Sequence, residues 1–141
     1  MAEAIYNRYK KALADADEDW VAGDYRVLLL TGSATFNKDS ATLTAALAGN
    51  TEASDGSYGR VTLAGKTVTQ NNTDNRGELD ANTADFGALN NETPTAMIVY
   101  RHVDGTNGND LPVSFHDTNF GVAANGAGYT VEFPNDVIRI T

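Results

Sequence analysis

The chain has 141 residues, no cysteine, and 10 basic against 19 acidic side chains, for a formal net charge of −9. That length suits one domain around a single core. The missing thiols exclude disulfides, a thiol nucleophile and thiolate metal sites, and the acidic balance repels phosphate backbones and anionic lipid, so neither nucleic acid nor a membrane is an expected partner.

In chain order, Ala2 to Ala14 is rich in helix formers, and Ile5, Tyr9 and Leu13 recur every four residues, which predicts one short amphipathic helix. Residues 1–20 therefore read as an N-terminal helical segment. The acidic stretch Asp15, Asp17, Glu18 and Asp19 opposes the helix dipole and helps end it. Its D-x-D-x-D spacing resembles the start of a calcium loop, but Trp20 stands where such a loop needs glycine and Arg26 where it needs a bidentate Glu, so a solvated acidic turn is expected. Tyr25 to Thr31, YRVLLLT, is apolar on both faces and reads as a central strand. The longest apolar run, Val27 to Leu30, is too short to span a bilayer, and the N-terminus lacks a secretory pattern, so synthesis in the cytoplasm is expected.

A helical turn is expected over Ala41 to Ala48, with Ser40 as its cap and Gly49 as its stop. A polar loop, Asn50 to Ser57, follows. Gly59 to Gln70 reads as strand interrupted at Ala64-Gly65, Asn71 to Arg76 as a turn, and Glu78 to Asp85 and Phe86 to Leu89 as short strands or an extended edge with Leu79, Phe86 and Leu89 turned inward. Asn90 to Pro94 closes that segment.

Thr95 to Asp117 carries two strand-forming arms around a Gly/Asn/Asp-rich loop, a hairpin signal. The first arm, with Met97, Val99 and Val103 on one face and Ala96, Ile98 and Tyr100 on the other, reads as an interior strand. The second alternates Leu111, Val113 and Phe115 with Pro112, Ser114 and His116, predicting one buried and one wet face. Pro112 places this arm at or beside a sheet edge. Thr118 to Gly128 is a connection with a turn at Asn125-Gly126. Tyr129 to Phe133, a turn at Pro134-Asn135, and Val137 to Ile140 complete about eight short strands. The expected fold is all-β, a single antiparallel β-sandwich or jelly-roll-like domain over residues 1–141 with a short N-terminal helix.

Reactive chemistry is sparse. His102 and His116, with Asp104 and Asp117, could form a metal site if the hairpin arms brought them together, against the plainer reading of polar groups on an exposed strand. Ser114 and His116 lie two apart on one strand, where side chains point the same way without facing each other for proton transfer, and no nucleophile elbow is present, so a triad is not expected. Gly121 to Gly128 lacks the lysine and glycine order of a phosphate loop. Two sequons, at Asn71 and Asn91, require a secretory route. Asp104 and Asp110 could hold calcium in a loop, the alternative being an ordinary turn. No cofactor, resident metal or enzyme activity is expected. The aromatics Tyr6, Tyr9, Trp20, Tyr25 and Phe36 read first as a lid over the core, and second as a carbohydrate-stacking platform or protein interface.

Four segments, YRVLLLTGSATF, GSYGRVTLAGKTVTQNNTDNRGELDANTADFGAL, TAMIVYRH and NGAGYTVEFPNDVIRIT, together resemble a family of small structural proteins encoded by tailed bacteriophages. The match centres on Tyr58 to Asp85, Ala96 to Tyr100 and Tyr129 to Ile140. The resemblance implies a β-sandwich subunit of the virion: a capsid decoration or cement protein on the outer surface, bound to the major capsid protein and to itself as a homotrimer. A tail or neck component is the alternative, and a carbohydrate-binding module on the particle a further one. The docking surfaces expected under that resemblance are the N-terminal segment around Ile5, Tyr6, Tyr9 and Trp20, then the loop with Asp104, Asn107 and Asp110.

Overall fold

The computed structural model describes residues 4–133 and 136–141. Its elements are β1 (Ala4–Ile5), α1 (Asn7–Ala14), β2 (Tyr25–Thr31), α2 (Leu43–Leu47), β3 (Thr51–Glu52), β4 (Val61–Thr62), β5 (Thr67–Asn71), β6 (Arg76–Asp80), β7 (Ala84–Ala88), β8 (Pro94–Arg101), β9 (Leu111–His116), β10 (Gly128–Val131) and β11 (Ile138–Ile140). All paired strands are antiparallel. The domain is all-β and sandwich-like, with more strands than the sequence suggests because several edge strands are only two residues long.

The two strands with apolar residues on both faces, β2 and β8, pair along their whole length at the centre of a six-stranded sheet, from Tyr25 opposite Arg101 to Thr31 opposite Pro94. Alternation sends their side chains to opposite faces, and both faces are covered. One face, with Tyr25, Val27, Leu29, Met97 and Val99, packs against Leu79, Val137 and Ile138 of the β11-β6-β5 sheet region and against Ala84, Phe86 and Val131 of the β10-β7 pair. The other, with Leu28, Leu30, Ala96, Ile98 and Tyr100, is covered by Tyr6, by Leu43 and Ala46 of α2, and by Phe36.

Across β2 from β8, β3 pairs Leu30 and Thr31 while β4 pairs Arg26 and Val27. The two behave as one strand split by a loop over residues 54–60. The gap is bridged by Tyr58, whose hydroxyl accepts the Leu29 amide at 3.1 Å and donates to Glu52 at 3.0 Å.

Three expectations are corrected. The predicted helix starts later: Ala4 and Ile5 form β1 against Ser114 and Phe115, and the Tyr6 amide continues this pairing to the Val113 carbonyl at 3.1 Å. Satisfying the open edge of β9 outweighs the helical spacing of Ile5; Ala2 lies outside the described residues. In α2 the cap is Thr42, whose hydroxyl accepts the Ala45 amide, and Ser40 is buried instead. In β9 the wet face does not exist: Pro112, Ser114 and His116 are buried with Val113 and Phe115. A register shift opposite Val99 and Tyr100 breaks strict alternation, and β1 covers the edge beside Pro112. The expected turn at Pro134-Asn135 lies outside the described residues.

Candidate functional site

The β8-β9 hairpin separates the two histidines. Met97 pairs with His116 at one end, whereas His102 follows Arg101, which pairs with Leu111, at the other. Five strand residues place them about 17 Å apart, so they cannot share an ion. Among the described residues no group of three or more His, Asp or Glu side chains is arranged to hold a metal.

At the loop end, the fully buried carboxylate of Asp110 accepts the amides of Val103 at 2.8 Å and of Asp104 and Gly105, both at 3.3 Å. His102 Nδ1 lies 3.4 Å from its second oxygen. Asp104 accepts the Thr106 amide at 2.8 Å and the Asn109 side-chain amide at 2.7 Å; these bonds hold its carboxyl below the usual range. Both carboxylates thus serve as acceptors for the loop's own N–H groups, an arrangement that makes a turn where calcium coordination was the alternative. Asn107 is tied down as well, through its side-chain oxygen to Arg60 at 2.9 Å and its carbonyl to the Thr44 amide at 2.9 Å.

Arg60 forks onto Glu52 with distances of 2.8 and 2.7 Å and lies over the Tyr100 ring at 5.4 Å. This bidentate pairing raises the Arg60 pKa further and fastens the split β3-β4 edge to the hairpin loop. Burial, then the nearby Glu52 charge, raises the Tyr58 phenol. A second brace centres on Glu18, which accepts Arg8 at 2.9 Å and the Tyr25 hydroxyl at 2.8 Å, with Arg101 at 3.5 Å. It joins α1, β2 and β8. No sequence spacing announces either brace, since the partners meet only through the sheet.

The remaining constellation is Ser114 and His116. Their shared face brings Ser114 Oγ to 2.9 Å from His116 Nε2, closer than the sequence reading allowed, because residues two apart on a strand are neighbours as well as parallel. Both are buried, with Ser114 at 0% and His116 at 7% exposure, and the Phe133 ring stands edge-on to the imidazole at 6.3 Å. Desolvation pushes the His116 pKa down to about 4, against the opposing charge of Asp117, so the ring is neutral at physiological pH. A neutral imidazole beside a hydroxyl has the elements of nucleophilic catalysis, but a serine sealed from solvent cannot reach a substrate. The pair satisfies two buried polar groups.

The expected docking residues fall in different places. Tyr6, Tyr9, Trp20 and Asp110 are buried within this chain and offer no docking surface, while Ile5 and Asn107 are half-buried and Asp104 is exposed. The aromatics form a lid: Trp20 is 3% exposed, donates its indole N–H to the Asp80 carbonyl at 3.0 Å and packs on Tyr25 with centroids 4.6 Å apart. Burial pushes the phenol pKa of Tyr9 up to about 12. Trp20 therefore presents no face on which a sugar could stack, and Tyr58 stacks inward on Phe86 at 6.0 Å. An open hollow of about 440 Å³ is lined by Ala81, Asn82, Thr83, Glu132 and Phe133. Comparisons with protein-family models, with curated proteins and with solved structures found no match to this chain.

Proposed function

We propose that the chain is a non-enzymatic structural subunit of a bacteriophage virion, a capsid decoration protein bound to the major capsid protein on the outer surface of the shell. The observation that carries this reading is where the residues of the phage-family resemblance fall. Tyr25 to Thr31 is β2, Tyr58 to Asp85 runs from the edge-bridging Tyr58 through β4, β5 and β6 into β7, Ala96 to Tyr100 lies within β8, and Tyr129 to Ile140 spans β10 and β11. These are the framework of the fold, as expected of a subunit whose task is shape. The net charge of −9 suits an exterior position and disfavours contact with a packaged genome. Each subunit needs only a modest interface, because contacts repeated over a shell act together.

The test is the copy number per purified particle by quantitative mass spectrometry. A number comparable with the major capsid protein is expected. A few copies per particle would overturn the capsid position, and density at the neck would assign the chain to the head-to-tail junction instead.

A further inference from the structure

The edges of the sheets are treated very unequally. A strand edge exposes unpaired N–H and C=O groups, and folded proteins blunt it by shortening the strand, bulging it, or placing charge or proline along it. Here β1, β3 and β4 have two residues each, β10 carries a register shift between Gly128 and Thr130, and β11 has three residues including Arg139. Strand β5 has none of these devices. It is five residues long, Thr67-Val68-Thr69-Gln70-Asn71, regularly paired to β6 on one side and, among the described residues, hydrogen-bonded to no strand on the other. It contains neither charge nor proline, and Val68, which shares a face with the buried Leu79, is 56% exposed. On the same face of the sheet, beyond Gly77, Ile140 is 42% exposed.

We infer that the free edge of β5 pairs antiparallel with β5 of a second copy across a two-fold axis at Thr69. The occupant follows from charge and symmetry. Two molecules of charge −9 repel at most surfaces, whereas this strip sets Thr69 opposite Thr69, Val68 opposite Gln70 and Thr67 opposite Asn71, with no charged pair across it. The nearest acidic residue, Glu78, is held by Arg76 at 2.7 Å. That carboxylate reaches over β5, accepting the Asn71 side-chain amide at 2.7 Å and the Thr69 hydroxyl at 3.4 Å, so its charge beside the two-fold axis is offset within each copy by the Arg76 guanidinium, which also meets Asp74 at 3.2 Å. The pairing covers Val68 of both copies and consumes the edge, so the assembly closes at two without propagating into fibres. One strand pair buries less than the ~1,200 Å² of stable complexes, so the dimer is weak alone and forms at high concentration.

The absence of native cysteine provides the probe. Paired strand residues have Cα atoms about 4.5–5.5 Å apart, within disulfide reach, so T69C should oxidise to a covalent dimer at least about tenfold faster than T83C, a control at an exposed loop position. In sedimentation equilibrium the cysteine-free protein should rise from 15.0 kDa towards twice that mass with concentration. T69K should remove this rise while leaving the unfolding midpoint unchanged. Equal oxidation rates for T69C and T83C, a trimer as the limiting species, or a T69K protein that still dimerises would each overturn the pairing. None of these measurements depends on the virion reading, which stands or falls on copy number.

Discussion

The Tyr58 hydroxyl sits between the Leu29 amide, 3.1 Å away, and a carboxylate oxygen of Glu52 at 3.0 Å, where the chain has left the edge of the central sheet. A side chain thus supplies the acceptor that a continuous strand would have supplied. Tyr58→Phe preserves the stacking on Phe86 but leaves the Leu29 N–H and one Glu52 interaction unmatched. The expected loss is about 1–3 kcal/mol, read from the urea midpoint. An unchanged midpoint would mean that water replaces the hydroxyl at no cost.

His116 makes stability depend on pH in a direction set by its burial. Its folded pKa is about 4 against an ordinary 6.5, so the unfolded chain takes up this proton first as pH falls. The contribution is fully present above about pH 6.5, is lost progressively as pH falls towards 4, and amounts to about 3 kcal/mol. Carboxylates with lowered pKa, such as Asp24 and Glu78, add acid sensitivity at lower pH. The decisive measurement is the difference between the parent protein and His116→Gln. The variant should lose less stability between pH 7 and 4, and parallel curves would rule out a buried neutral imidazole.

Asp110 anchors the hairpin loop through three backbone amides. Asp110→Ala leaves those donors without their acceptor and should cost about 3 kcal/mol. Amide hydrogen exchange at Val103, Asp104 and Gly105 should accelerate ahead of the β2 and β8 amides. Protection that persists at these three positions would show that the carboxylate is dispensable.

Gly65 combines a positive φ of 60° with a close approach of the Asn82 side chain. Gly65→Ala meets both a strained backbone and a steric clash, and should destabilise the protein by about 1–3 kcal/mol. Adding Asn82→Ala should recover the steric part and leave the backbone part, so non-additivity in the double mutant separates them.

The hairpin and the two central strands were readable in the chain because a strand apolar at successive positions must be covered on both faces, as β2 and β8 are. The inward turn of Leu79, Phe86 and Leu89 was readable for the same reason. By contrast, Ala4 and Ile5 join a strand whose edge lies more than a hundred residues further along, and the buried polar face of β9 depends on a register shift. The candidate site was less legible still. Ser114 and His116 were visible as residue types, but their bond depends on burial, and Asp110 reads as an exposed loop acid until the hairpin closes around it.

The sequence by itself determined composition, charge, the absence of thiols and the alternation that makes a β domain with β2 and β8 at its centre, because these follow from local pattern. Only the tertiary structure decided which polar groups are buried and paired, which of the two readings of Tyr6, Tyr9 and Trp20, core lid or docking surface, holds, and that β5 is left with an open edge. Burial and strand pairing depend on what arrives from distant parts of the chain, and no window of neighbouring residues contains that information.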